Sequence, residues 1–554
     1  MTLPSQGVGL FAQLAIADHV VLALYVLAML WMGFSIARKQ RSTDDFFVGG
    51  RSLPAWAVGI SLFASLLSTI TYLGMPGEMF RTGVAFLTRQ LPIPLVLAVV
   101  WMLWIPFFMK LNLTSAYEYL EKRFDYRTRA LSAVFCLLLL FGWISVVVLT
   151  ASSAMKDIVE LNLVESLSEQ FGWWSNLDGK KLAEITTDVD MYVIIFSVGI
   201  FSVLYTTMGG IRAVVWTDVI QFLVLMLGAF FTMGFVAWKT GSGISDWLEV
   251  SQAYKHEKVE WFKADLTDRS NVTFISLGMF FWYICTHGAN QVALQRYFTV
   301  KDTREARKSY LVSAIAAIGI GIILAGVGIS LMYFIQEYDL PAKADLNSTV
   351  SSDRITAQDS VFPQFIGKYL PSGIRGMVVA ALFAAAMSTI DSGANSASTI
   401  ITVDFLRPFQ QGDVDSKTEL RRARYLTASM GIFVVAYTIG LYHISKGTDI
   451  ITLCQKGFNC FLGPLGAVFV LGMFSKTVTA KSMVPALLIG EVVGVMLSYC
   501  NEIFGFNYST HLVVPGSWLV TILLGLIFAY CLGTRVNEEQ FQMTWSQVTK
   551  KQSA

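Results

Sequence analysis

Charge is scarce in this 554-residue chain: Asp, Glu, Lys and Arg supply 14% of it, where a soluble domain averages about 25%. The net charge is only +2 and no long basic run occurs, which argues against a nucleic-acid partner. Histidine is scarcer still, and the five present are too scattered for HExxH or a comparable zinc spacing. The six cysteines (Cys136, Cys285, Cys454, Cys460, Cys500, Cys531) form no CxxC pair and lie in or beside apolar segments, as free packing thiols do. Residues 1–17 lack the positive n-region of a cleavable signal peptide. No nucleophile–base–acid set stands out, so an enzyme is not expected.

What the chain has is apolar length. Hydrophobic residues make up 54% of it, and runs of about 20 apolar residues mark membrane helices. We place about thirteen, starting near residues 18, 55, 90, 131, 190, 214, 272, 309, 373, 423, 450, 480 and 514. Residues 1–535 read as a single transmembrane domain and residues 536–554 as a short tail. Lys and Arg concentrate in alternate short loops: residues 38–41, 122–129, 296–308 and 421–424. The positive-inside rule then puts the N terminus outside and the C terminus in the cytoplasm of a multi-pass cell-membrane protein. The longer outside loops, near 157–189, 239–271 and 335–372, lack the composition of a separate domain.

Residues 380–402, AALFAAAMSTIDSGANSASTIIT, are apolar and long enough to cross a bilayer. Yet Ser388, Asp391, Ser392, Asn395 and Ser396 recur at three- and four-residue spacing, on one helical face. An unpaired Asp at bilayer depth costs about 2.5–3.5 kcal/mol, so this stripe needs a partner. Oxygen-only ligands suit a hard cation such as sodium. The plainer alternative is helix packing, where Ser and Thr are common.

Two other spans are interrupted. The second, residues 59–78, carries Ser65, Ser68, Thr69 and Thr71 mid-span and Pro76-Gly77 at its end. The seventh, residues 280–297, contains Thr-His-Gly-Ala-Asn-Gln at 286–291. Unwound backbone persists at membrane depth only where it lines a polar cavity, and paired interruptions point to a transporter's binding site. Five spans separate the two, which fits inverted five-helix repeats, helices 2–6 (about residues 55–238) and 7–11 (about 272–475).

Five motifs in order resemble the sodium:solute symporter family. They are SLFASLLSTITYLGMPGE (61–78), NLTSAYEYLEKRF (112–124), GGIRAVVWTDVIQ (209–221), GANQVALQRY (288–297) and ALFAAAMSTIDSGANSAST (381–399). The second-helix and YEYLE patterns look closest to its iodide, multivitamin and monocarboxylate branch. The resemblance implies an all-α, leucine-transporter-like core with one helix before the repeats and two after. It implies a sodium site at the carbonyls of Ala64, Leu67 and Ala385 and the hydroxyls of Ser388 and Thr389. A second cation site of some members maps onto Asp218, Asp391 and Ser392, with Ser388. The family usually has a hydroxyl where this chain has Asp391, so that position suits either a second cation or a proton; Asp218 has a solvated interfacial position as its alternative.

Substrate positions carried over from the family are Thr71, Gln90, Tyr283, Thr286, His287 and Gln455. Lys456, beside Gln455, is positioned either to pair with an anionic substrate or to snorkel to the surface. The expectation is sodium-coupled import of a small organic anion such as a monocarboxylate, with sodium, solute and lipid bilayer as partners and no protein partner indicated. A proton-coupled symporter and a sugar or neutral-solute carrier of the same fold are the alternatives; a sensor or a passive channel fits the pattern less well.

Overall fold

The computed structural model describes residues 14–38, 40, 42–159, 161–171, 178–253, 261–262, 265–267, 271–338, 354–410, 415–445 and 453–550. Among these, regular structure is helical throughout, with no strand. A bilayer offers backbone groups no water, so apolar runs must satisfy their hydrogen bonds within the helix. Twelve helices are long and apolar enough to cross on their own. A thirteenth candidate rests on Ala55–Leu66, which passes together with Thr43–Arg51 across a 114° bend and is followed after a two-residue break by Thr69–Thr82.

In chain order the crossings begin with α1 (Ile16–Ala37) and the broken pair α2 (Ala55–Leu66) and α3 (Thr69–Thr82). Then come α4 (Gly83–Lys110), whose first turns are 3₁₀, and α5 (Tyr126–Val159). Gly179–Thr240 is one run interrupted at Gly210, giving α6 before the glycine and α7 after it. A second broken pair follows, α8 (Val272–Ala289) and α9 (Gln291–Phe298), then α10 (Thr303–Tyr333). After the shorter α11 (Arg354–Tyr369) come α12 (Ile374–Ile400), α13 (Ser416–Ile444), α14 (Lys456–Phe474), α15 (Ala480–Ser498) and α16 (Val513–Cys531).

Each five-crossing repeat therefore opens with a broken helix. An odd number of crossings per repeat makes the second run opposite to the first. Short helices Leu163–Phe171 and Ile244–Ala253, with α11, lie in the three long connections. Several helices start earlier than hydropathy places them: α5 at 126 rather than 131, α10 at 303 rather than 309, α13 at 416 rather than 423. Hydropathy marks only the lipid-crossing portion, whereas helices extend into polar turns. Asp302, for example, caps α10 by accepting the Glu305 N–H at 2.9 Å.

Gly210 makes the turn between α6 and α7 with φ +51° and ψ −162°. A Cβ there would lie 2.6 Å from the Phe46 carbonyl oxygen.

Burial separates the helices into centre and rim. In α12 with its extension to Phe409, 89% of the apolar window is inside the protein, against 17% for α1 and 22% for α13. Large apolar side chains such as Trp31, Leu95, Phe230 and Ile432 accordingly face outward, where lipid would cover them. Although α1 lies at the rim, it is tied to the centre at one end. The Asp18 carboxylate accepts the N–H groups of Gly373 and Gly376 at 2.7 and 2.8 Å and pairs with Arg375 at 3.2 Å, capping α12.

Candidate solute and ion sites

The first break forms where α2 meets α12. Leu67 N–H still bonds the Phe63 carbonyl at 2.8 Å, but Leu67 (ψ 104°) and Ser68 (φ −100°, ψ 169°) then leave the helix. The Ser388 hydroxyl of α12 lies 3.1 Å from the freed Ala64 carbonyl and 3.1 Å from that of Ala385. Thr389 donates to the same Ala385 carbonyl at 3.3 Å. Ser388, Thr389, Ala64 and Ala385 are all fully buried. Four neutral oxygens thus converge, and ψ at Leu67 turns a fifth carbonyl out of the helical ladder. Hard, uncharged oxygen donors are the kind that suit sodium.

The expected second cation cluster is not a free oxygen cage. Arg296 of α9 is fully buried, and its guanidinium lies 3.5 Å from Asp218 of α7. It donates to Ser65 Oγ at 2.6 Å, to Val292 O at 3.0 Å, and to Ser392 Oγ. Asp218 also accepts Ser61 and Ser65 hydroxyls at 2.6 and 3.2 Å. Asp391 instead accepts the Thr206 hydroxyl of α6. Of the three residues expected to share a second cation, Asp218 and Ser392 are thus held by Arg296, while Asp391 bonds Thr206. Asp218 is fully buried, not solvated at an interface, and Arg296 does not belong to a basic loop. A buried charge needs a partner, and these two supply each other.

Further along α12 the polar stripe is a packing device. Gln295 of α9 donates to Asn395 Oδ1 at 2.9 Å and Thr399 Oγ1 at 3.0 Å, and accepts from Ser396 at 2.8 Å. The stripe thus splits by function: Ser388 and Thr389 face the break, Asp391 and Ser392 the charged network, Asn395 to Thr399 the second broken helix.

That second break is at Asn290, whose φ/ψ of −79°/122° interrupts the helix while its side chain caps Val292 N–H at 2.9 Å. Between the two broken pairs, α4, α10 and α14 lies a cavity of about 270 Å³. Of the expected substrate residues, Thr71, Gln90, Tyr283 and His287 line it. The His287 ring is fixed by Tyr297, whose hydroxyl is 2.9 Å from Nδ1, and stands edge-on to Tyr310.

Two expectations fall elsewhere, and a third lies outside the described residues. Thr286 lines a smaller adjoining cavity with Leu66, Trp282 and Asn459, because α8 turns that side of residue 286 away. Lys456 bonds the Glu502 carboxylate and sits 5.2 Å from the Tyr499 ring centre, so it is not on the cavity wall. The Gln455 side chain lies outside the described residues. Sequence reasoning missed Arg89 and Glu78, which do line the cavity; the available signal was Arg89's place directly before Gln90.

Comparisons with known proteins bear on the family and the fold. The chain is 28% identical over 506 residues to the sodium/sialic acid symporter SiaT of Proteus mirabilis, covering 91% of this chain and 93% of that protein. It is 26% identical to sodium-coupled monocarboxylate transporter 1 of Xenopus laevis, covering 90% and 74%. Its fold matches the substrate-bound outward-open structure of a Na⁺-coupled sialic acid symporter with TM-score 0.77 and 26% identity, over 94% of this chain and 99% of that one. The sodium:solute symporter family pattern matches residues 46–170 and 177–490. This chain therefore belongs to the sodium:solute symporter family, as a sodium-coupled membrane transporter and not an enzyme.

Proposed function

We propose that the protein imports a small organic anion, a monocarboxylate by class, together with sodium held by Ala64, Leu67, Ala385, Ser388 and Thr389. One observation carries the coupling. The break that frees the Ala64 carbonyl toward Ser388 also places Leu67 and Ser68 on the cavity wall. An ion that draws α2 against α12 therefore shapes the wall that meets the solute.

The N terminus is outside and the C terminus cytoplasmic in this reading, and residues 1–535 act as one domain. Sodium from outside fills the α2–α12 site and orders the break, and the solute binds beside it. The helices around the site then rock to open it inward, and sodium leaves into a low-sodium cytoplasm. Each entering sodium gains about 2.3 kcal/mol per 100 mV of membrane potential. Relatives named for sialic acid (an acidic sugar), monocarboxylates and iodide all carry anions, which supports an anionic solute over a neutral sugar such as that of the glucose cotransporter.

Uptake into proteoliposomes of labelled monocarboxylates, sugars, iodide and amino acids tests this, each under a sodium gradient, a proton gradient and neither. Sodium-driven accumulation of a carboxylate is expected. Accumulation under the proton gradient alone overturns sodium coupling, and sodium-driven uptake confined to sugars overturns the anion.

A further inference from the structure

The cavity wall carries one arginine that the structural networks do not use. Arg89 lies at the end of the 3₁₀ turns Gly83–Gln90, where α4 enters the protein. A guanidinium has five N–H donors in a planar fork. Here its recorded contacts are the Met279 thioether at 3.6 Å and the face of Phe86, 4.7 Å to the ring centre. Neither neutralises its charge, and among the described residues no carboxylate oxygen comes within the 4 Å of an ion pair. Arg123, Arg129, Arg296 and Arg375 differ: each spends its donors on carbonyls or carboxylates that fasten helices together.

The surroundings define what such a cation would hold. Phe86, which stacks under the guanidinium, and Trp143, Trp282 and Tyr283 line the same cavity, so its wall offers aromatic faces. Gln90 and Thr71 add polar atoms. The volume, about 270 Å³, exceeds the roughly 150 Å³ cavity that accepts benzene. Among the described residues no second Lys or Arg lines the cavity, so a second carboxylate on the solute would find no cation to pair with.

We infer that Arg89 is the anion anchor of the solute site, and that the site selects a monocarboxylate with a ring-sized apolar body over dicarboxylates and neutral isosteres. This deepens the proposed function and rests on it. The carboxylate takes the guanidinium fork in a bidentate pair, and the ring lies against the aromatic wall. The assignment replaces Lys456, which is engaged with Glu502.

The test uses purified full-length protein and the fluorescence of its tryptophans, two of which, Trp143 and Trp282, line the cavity. Benzoate, phenylacetate, benzamide and phthalate are titrated with and without sodium, against wild type, Arg89→Gln and Arg89→Lys. Wild type should bind benzoate or phenylacetate at least about tenfold more tightly than benzamide or phthalate. Arg89→Gln should weaken the monocarboxylates about 10–100-fold, the worth of a charged hydrogen-bonded pair, and leave benzamide unchanged. Arg89→Lys should fall between, since it keeps the charge and loses the fork.

Equal weakening of benzamide and benzoate in both variants, or no binding of either monocarboxylate to wild type, overturns the anchor. A sodium titration of wild type without organic ligand reads the other site separately. Carboxylate binding that needs Arg89 but ignores sodium would sink the coupling and leave the anchor standing.

Discussion

The Arg296 guanidinium lies 3.5 Å from Asp218 Oδ2, and both side chains are fully buried. The pair joins α9, the second half of one broken helix, to α7 in the other repeat. Ser61 and Ser65 of α2 complete it, so both broken helices meet at one charged point. Removing one member of a buried pair strands the other, at about 3–5 kcal/mol. Arg296→Gln and Asp218→Asn should each lower the unfolding temperature in detergent and abolish uptake. The double variant should recover part of that stability, because neither charge is left alone. Strictly additive losses across the four proteins would mean that the two groups do not act as a pair.

The proposed sodium site makes a sharper prediction because α12 offers its own control. Ser388→Ala with Thr389→Ala removes both hydroxyl oxygens facing the α2 break, leaving carbonyls alone. The sodium concentration for half-maximal uptake should rise by about tenfold or more, the equivalent of 1.4 kcal/mol. Ser392→Ala, one turn further on, removes an oxygen already held by Arg296. Its sodium dependence should stay near wild type. A Ser392 effect as large as the Ser388/Thr389 effect would return Ser392 to an ion-binding role.

Gly210 tests how tightly the turn between α6 and α7 is specified. Its φ of +51° and the Phe46 carbonyl 2.6 Å from a would-be Cβ leave no room for a side chain. Backbone strain of this kind costs about 1–3 kcal/mol before the steric clash is added. Gly210→Ala should sharply reduce the yield of folded protein on size-exclusion chromatography. Gly234→Ala, on the same run with open space around its Cβ position, should not.

Hydropathy and small-residue spacing made most of the scaffold legible. The crossings, both breaks and the Ser388–Thr389 face all follow from rules that act within a single segment: apolar length, a turn-forming cluster, one helical face. What stayed hidden depends on which segments become neighbours. Arg296 reads as the start of a basic loop because its motif ends in polar residues; only the position of Asp218 on α7 explains why it turns inward. Lys456 and Arg89 are the same problem reversed. Both are cations at the edge of an apolar span, and sequence cannot say which has a carboxylate beside it. Glu502, which follows α15, takes Lys456, whereas among the described residues no carboxylate bonds Arg89.

The Lys456–Glu502 pair lies at the start of α14, where the Glu502 side chain is 49% exposed. The hydrogen bond from Lys456 holds the Glu502 carboxyl below the usual carboxylate range. A lowered folded-state value means the contribution is complete above the ordinary carboxylate pKa and disappears as pH falls through the lowered one. Exposed pairs contribute only about 0–1 kcal/mol. Lys456→Gln should therefore leave uptake of anionic and neutral solutes affected to the same small extent. Its slight loss of thermal stability at neutral pH should vanish in strong acid, where Glu502 is protonated in wild type as well. A selective loss of anion uptake in Lys456→Gln, with neutral solutes spared, would place the anion at α14 and displace Arg89 as its anchor.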